Sequence, residues 1–167
     1  MANRIRKTFS VTDGYSVADF LHYGFDNVAA AELLFKANAR YFDSAGYLAH
    51  LGLELLLKAW HLHTFGHFEE GHHLSGLWSK LRQHDSKLCI DNAKTETLEK
   101  IDQYFTLRYP NPAMPQEIDS DDLLAILSLQ SAICSQMPPK MQSIINSLTG
   151  DKKGGRVLME KRIDGLP

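Results

Sequence analysis

Histidine is the residue type in this sequence that is best able to do chemistry, because imidazole binds transition metals and changes its charge near neutral pH. Five of the eight histidines fall within thirteen residues, from His61 to His73. His50, Glu54 and His61 also recur at spacings of four and seven, which places them on one face of a helix. Imidazole and carboxylate groups on one face often build a metal site. The pattern raises the hypothesis of a metal-binding or sensing protein that uses the cluster from His61 to His73, with candidate ligands His50, His61, His63 and His67.

A structural interpretation of the same histidines competes with the metal site. The sequence lacks the His-Glu-x-x-His order of a zinc hydrolase, and Cys89 and Cys134 do not have the spacing of metal ligands. Imidazoles near the end of a helix form capping and loop-pinning hydrogen bonds, and a charged imidazole is favoured there by the helix dipole. We therefore favour the structural interpretation and expect no metal or other cofactor.

Motifs of several enzyme classes are missing from the sequence. Cys134 lies on the apolar side of a predicted helix, and Cys89 stands between Leu88 and Ile90 with no obvious basic neighbour to activate a thiolate. There is no Gly-x-Gly-x-x-Gly motif, no Walker-type phosphate loop and no Gly-x-Ser-x-Gly motif. These absences argue against a thiol enzyme and against the enzyme families that carry those motifs.

One pair of opposite charges lies within the most apolar segment of the chain. Glu54 and Lys58 are four residues apart, in the order that favours an ion pair on a helix. If both are buried, each needs a partner, because an unpaired interior charge costs several kcal/mol. We therefore expect Glu54 to hold Lys58, Arg108 or the turn at His72 inside the protein.

Helices must position these residues, because helical periodicity dominates from Val17 to Leu148 without a convincing strand pattern. We predict an all-α, up-and-down bundle of four to five helices with a short extended C-terminal tail. The second helix, capped by Asp43-Ser44 and closed by Gly66, is apolar on every side. Since a bundle of this size would cover only part of such a helix, we also predict a homodimer.

The predicted boundaries follow from caps, glycines and prolines. The chain divides into a loosely ordered lead-in over 1–15, a helical domain over 16–149 and a C-terminal tail or short strand over 150–167. Within the domain, residues 66–71 are expected to form a loop, and Ser120 is expected to cap the helix that follows it. The predicted helices cover 16–38, 43–63, a third from about 74, a fourth from about 91, and 123–137, with a short sixth over 140–148.

Length and composition limit the class of protein. A chain of 167 residues fits one domain, and two cysteines cannot form a disulfide framework. A net charge of −2 excludes bulk electrostatic binding of nucleic acid but leaves room for a local basic patch. The densest apolar stretch is interrupted by charges and is too short to span a bilayer. We expect a cytoplasmic protein without a membrane partner.

Three short motifs, taken in order, resemble a known family. They are Tyr47-Leu-Ala-His-Leu-Gly-Leu-Glu-Leu-Leu-Leu-Lys-Ala59, Gly71-His-His-Leu-Ser-Gly-Leu77 and Leu107-Arg-Tyr-Pro110. From about Val17 to Met137 the sequence resembles the HEPN, or nucleotide-binding, domain of prokaryotic and eukaryotic proteins. The resemblance implies a bundle of four or five helices that commonly dimerises. It also implies membership of a family in which many domains are metal-independent endoribonucleases, and in which domains often pair with minimal nucleotidyltransferases as toxin and antitoxin.

The nuclease motif of that family is an arginine followed, after four to six residues, by a histidine. None of the arginines in the sequence has a histidine at that spacing. Arg108 instead leads into Tyr-Pro-Asn-Pro, which is similar to a branch of the family without nuclease activity. We therefore expect a non-catalytic binding or regulatory module that binds a nucleotide, an RNA or a nucleotidyltransferase-type partner protein. The residues expected to bind the ligand are Glu54, Lys58, His72, Arg108 and Tyr109.

An enzyme is the alternative to a binding module. In a divergent, metal-independent endoribonuclease, Arg82 or Arg108 would stabilise the phosphate. The proton would then be moved by an imidazole, for which the candidates are His72, His73 and His84.

Overall fold

The computed structural model describes residues 7–109 and 115–150. Within these ranges it contains six α-helices and one two-stranded antiparallel sheet, which confirms the predicted all-α fold class. The predicted C-terminal tail lies outside the described residues from position 151 onward. In chain order the elements are β1 (Thr8–Ser10), α1 (Val17–Ala37), α2 (Phe42–Phe65), β2 (His67–Glu69), α3 (Leu74–His84), α4 (Asn92–Asp102), α5 (Asp121–Ser135) and α6 (Pro139–Gly150), with short 3-10 helices at Val11–Asp13, Ala39–Tyr41 and Gln103–Arg108.

The small sheet corrects two expectations. Residues 8–10 belong to a strand and not to a loosely ordered lead-in, and residues 67–69 form its partner inside the expected loop. Phe9 of β1 pairs with Phe68 of β2, and their rings stack with centroids 5.5 Å apart. Tyr15 and Phe20 each contact the same Phe68 ring. Aromatic packing between distant segments therefore holds strands that are too short to show a periodic pattern in the sequence.

Two glycines allow α1 and α2 to pack closely against each other. A Cβ atom on Gly52 would lie 2.6 Å from Cγ2 of Val28 and 2.8 Å from the carbonyl oxygen of Gly24. A Cβ atom on Gly24 would lie 2.8 Å from the side chain of Leu56. Both positions lack room for a side chain, so the close approach of the two helices depends on glycine.

Helix α2 is the central element, as its apolar circumference predicts. Fourteen of its residues are buried within this single chain. The half-buried Leu48, Leu51 and Leu55 show that the described chain covers α2 incompletely, as expected, and the homodimer stays a prediction. The helix ends at Gly66, which has a φ of 75°, as predicted. None of the described helices is both long and apolar enough to cross a membrane.

Two predicted N-caps are replaced by neighbouring residues. Helix α2 begins directly after the 3-10 turn at Ala39–Tyr41 rather than after a cap at Asp43-Ser44. At the start of α5, the side chain of Ser120 forms no capping hydrogen bond. The carboxylate of Asp119 instead accepts hydrogen bonds from the backbone N–H groups of Asp121 and Asp122, at 2.8 and 3.3 Å.

Candidate functional site

A buried carboxylate in the middle of α2 connects the first motif to the second. The side chain of Glu54 is only 3 % exposed. Nζ of Lys58 donates to Oε1 of Glu54 at 2.5 Å, and Nδ1 of His72 donates to Oε2 at 2.9 Å. The pair predicted from the sequence therefore forms, and the same carboxylate holds the turn at His72 against α2.

The environment of Glu54 keeps its carboxylate ionised. Burial by itself raises the pKa of Glu54, because it removes water from the charged form. The contact with His50, the positive charge of Lys58 and the hydrogen bonds from Lys58 and His72 outweigh burial and lower this pKa to about 2. Glu54 is therefore a fixed negative charge at neutral pH.

His50 lies one helical turn before Glu54 and is fully buried. Its Nδ1 lies 2.9 Å from the carbonyl oxygen of Ile101, and this nitrogen must donate because a carbonyl only accepts. Its Nε2 lies 3.6 Å from Oε2 of Glu54, which is too long for a good hydrogen bond. Within the described parts of the chain, this Nε2 atom has no hydrogen-bond partner.

The ammonium group of Lys58 has two partners. Besides its ion pair with Glu54, its Nζ lies 5.2 Å from the centre of the Phe68 ring, which is a cation–π geometry. The lysine therefore links α2 to β2. Because both charges of the pair are buried and already partnered, their arrangement stabilises the fold and offers no open face to a ligand.

The start of α3 is held by a carboxylate that the sequence analysis missed. Asp102, the last residue of α4, accepts hydrogen bonds from the backbone N–H groups of Leu74 and Ser75, at 2.6 and 3.3 Å. His73 occupies the N-cap position and forms no side-chain capping bond. The first N–H groups of a helix need acceptors, so the lack of a capping residue near Leu74 was a signal for a cap from elsewhere in the fold.

Arg108 and Tyr109 do not join this network. The guanidinium group of Arg108 lies 5.4 Å from the centre of the Tyr109 ring, and Tyr109 is 71 % exposed. Among the residues that the structure describes, no hydrogen bond or ion pair connects either of them to Glu54. The hypothesis that Glu54 holds Arg108 is therefore wrong, and of the five expected binding residues only Glu54, Lys58 and His72 are joined by hydrogen bonds.

The clustered histidines form separate local contacts. Nε2 of His61 donates to the carbonyl oxygen of Leu77 at 2.8 Å, and Nδ1 of His67 donates to that of Phe65 at 3.1 Å. Burial lowers the pKa of His61, which favours its neutral form. In the described ranges, no group of three or more His, Cys, Asp or Glu side chains could hold a metal ion. These contacts agree with the loop-pinning interpretation and lend no support to a metal site.

An open groove lies beside the buried network, between β2 and α3. Its volume is about 860 Å³, and the imidazoles of His61, His67, His73 and His84 line it. The ring of Phe65 lies at the centre of the aromatic side chains that line the groove. The ring centroids of His61, His67 and His84 lie 5.1, 6.5 and 5.2 Å from that of Phe65.

Polar side chains of α3 and the exposed backbone at Gly76 complete the lining of the groove. Lys80 and Gln83 line it from α3, and Lys80 forms an ion pair with Glu69 of β2. A Cβ atom on Gly76 would meet only Cβ of His73, at 3.7 Å. The groove therefore combines flat aromatic surfaces, hydrogen-bond donors and free space, and neither Glu54 nor Lys58 lines it.

Comparison with protein families identifies the fold. A family model described as HEPN domain matches residues 17–134, from the first residue of α1 to the penultimate residue of α5. The chain belongs to the HEPN domain family. This match confirms the resemblance inferred from the three motifs. Comparison with curated proteins and with solved structures finds no match.

One wall of the groove in this HEPN domain is supported from behind by a strand outside the matched residues. Strand β1 precedes the match, yet it pairs with β2, which forms one wall of the groove.

Arg82, a candidate of the enzyme hypothesis, is exposed on α3 and is not among the groove residues. Burial raises the pKa of Cys134 to about 12, which is consistent with the argument against a thiol nucleophile.

Proposed function

We propose that this HEPN domain is a non-catalytic binding module whose ligand site is the groove between β2 and α3. The observation that carries the proposal is the contrast between the two polar regions. Glu54 and Lys58 are buried and satisfy each other, whereas the imidazoles of His67 and His84 beside Phe65 are exposed in the groove. The ligand site therefore lies beside the expected residues and not on them.

The lining of the groove favours a nucleotide or a short single-stranded RNA. Bases stack on aromatic rings regardless of sequence, and the rings around Phe65 offer such surfaces. Lys80, Gln83 and the N–H groups of His73 and His84 supply donors for phosphate oxygens and for base edges. The family assignment is consistent with this ligand class.

The proposal is tested by filling the groove without disturbing the fold. Gly76→Leu places a side chain where there is room for it, and replacing a glycine inside a helix does not reduce helix propensity. Ser79→Leu adds the same side chain to an exposed position of α3 outside the groove. Binding of the dinucleoside monophosphate ApA, measured by calorimetry, should be lost in the first variant and kept in the second. Equal binding by both variants would exclude the groove.

A metal-independent endoribonuclease is the second candidate, and one observation favours it. His73, His84 and Lys80 line the same groove, so a proton-transfer group and a positive charge could act on one phosphate. The missing arginine–histidine spacing argues against it. Incubation of labelled RNA with the protein and a chelator distinguishes the two: we expect intact RNA, and cleavage that is lost in His84→Gln would establish the enzyme.

The partners implied by the family remain predictions. A homodimer and a nucleotidyltransferase-type partner in a toxin–antitoxin pair follow from the resemblance. Size-exclusion chromatography of the chain with a nucleotidyltransferase encoded beside it tests the second partner. Co-elution would support a regulatory role, and separate elution would argue against it.

A further inference from the structure

Phe68 is the buried residue of β2, the strand that forms one wall of the groove. It is only 4 % exposed, and its more exposed neighbours His67 and Glu69 line the groove. Successive side chains of a strand point to opposite faces, so the Phe68 ring anchors β2 from the face that does not carry those two side chains. The position of this ring therefore determines where His67 and Glu69 lie in the groove.

Three aromatic rings from earlier in the chain surround Phe68. The ring of Phe9 stacks on it, and the rings of Tyr15 and Phe20 contact it with centroids 5.3 and 5.2 Å away. Tyr15 also contacts Phe9 and Phe20, so the rings form one connected cluster. From the side of α2, Nζ of Lys58 lies 5.2 Å from the centre of the Phe68 ring. These contacts hold β2 against the helical bundle.

Two rings of this cluster belong to a segment that the family match does not cover. Phe9 lies in β1 and Tyr15 lies just before α1, whereas the match begins at residue 17. The same segment holds the backbone of β2, because Phe9 pairs with Phe68 across the sheet. The N–H group of Glu70 also donates to the carbonyl oxygen of Lys7 at 2.7 Å. The wall of the groove is therefore braced by residues that precede the matched domain.

The two ends of β2 provide little support of their own. Gly66 and Gly71 flank the strand with φ values of 75° and 141°. Apart from chain neighbours, the described residues place no heavy atom within 4 Å of a Cβ on either glycine. The ion pair between Glu69 and Lys80 joins β2 to α3, but both side chains are partly exposed, and such pairs stabilise weakly. The position of β2 therefore depends mainly on the cluster around Phe68.

We infer that Phe9 is a positioning residue of the groove: it holds Phe68, and through Phe68 it keeps His67 and Glu69 in place before the ligand binds. The inference rests on the proposed function and extends the binding site to a strand outside the matched residues. Phe9 does not line the groove and acts only through β2. Without its ring, binding must also order β2, and that loss of conformational freedom opposes binding.

The test removes the ring of Phe9 and measures ApA binding by calorimetry well below the melting temperature. Phe9 lies outside the helical core, so the bundle should stay folded in Phe9→Ala. Because ApA must then order His67 and Glu69, its affinity should fall roughly tenfold. Phe9→Tyr keeps the ring and should bind ApA like the parent. Hydrogen exchange of the Glu70 amide should be faster in Phe9→Ala, since its bond to Lys7 depends on the pairing of β1.

Phe42→Ala is the matched control for a loss of stability alone. Phe42 is also a half-buried phenylalanine beside another ring, that of Phe35, with centroids 5.3 Å apart, and neither residue lines the groove. Phe42 packs against the helical core, so Phe42→Ala should lower Tm at least as much as Phe9→Ala. It should nevertheless bind ApA like the parent and leave exchange of the Glu70 amide unchanged.

The possible results separate this inference from the proposed function. Equal ApA affinity of the parent and Phe9→Ala would overturn the inference and leave the binding module intact. Equal weakening in Phe9→Ala and Phe42→Ala would also overturn it, because binding would then follow stability and not the position of β2. The absence of ApA binding to the parent would overturn the proposed function, and the inference with it.

Discussion

Replacing Glu54 by glutamine removes one charge from the interior and leaves Lys58 and His72 facing a neutral amide. Breaking a buried pair from one side typically costs ~3–5 kcal/mol, because the remaining charge stays buried. The pKa of Glu54 gives a similar figure: its fall from 4.5 to about 2 corresponds to about 3 kcal/mol of unfolding free energy at neutral pH. We therefore expect Glu54→Gln to lower Tm by roughly 6–20 °C for a domain of this size.

The chain provides a matched control for this experiment. Glu32 and Lys36 on α1 form an ion pair with the same spacing, order and 2.5 Å distance, but at an exposed site. Such a pair is worth only ~0.3–0.5 kcal/mol, so Glu32→Gln should hardly change Tm. Chemical denaturation of both variants gives the free energies directly.

A second substitution tests the pairing itself. Lys58→Met removes the stranded charge and keeps most of the aliphatic stem, so it should partly restore the stability of Glu54→Gln. Equal, small losses in Glu54→Gln and Glu32→Gln would refute the structural role. So would a stable Glu54→Gln variant that no longer binds ApA, because Glu54 would then belong to the ligand site.

Three further predictions concern pH, packing and assembly. The lowered pKa of Glu54 stabilises the fold above about pH 4.5, so the difference in Tm between the parent and Glu54→Gln should shrink as the pH falls from about 4.5 towards about 2. Gly52→Ala should reduce the free energy of unfolding by ~1–3 kcal/mol in urea, because its Cβ would overlap Val28, whereas Gly76→Ala should be neutral or stabilising by up to ~1 kcal/mol. Light scattering at micromolar concentration should show a homodimer; a mass of 18.9 kDa alone would contradict this.

The sequence was sufficient to predict the helices and the central ion pair, because both depend on local spacing. The apolar circumference of α2 predicted its place in the middle of the bundle, and the four-residue spacing of Glu54 and Lys58 predicted their contact. Gly66 predicted the end of α2 for the same reason, since a left-handed residue ends a helix locally.

The features that were not predicted depend on contacts between distant segments. Strand β1 is held by rings that lie far along the chain, and Asp102 caps α3 from the end of α4. Arg108 belongs to the third motif, yet its contact is with Tyr109 and not with Glu54. The groove arises only when β2 and α3 come together, so no spacing of histidines in the sequence describes it.

The most direct test of the proposed function is to map ApA binding residue by residue. Two-dimensional NMR spectra of the labelled protein, recorded during titration with ApA, should show shifts concentrated at Phe65, Gly71, Gly76 and Leu77, which line the groove. The backbone signals of Arg108 and Tyr109 should stay in place, and the ApA should remain intact. Shifts centred on Arg108 and Tyr109, or no shifts at saturating ApA, would contradict the proposed binding module.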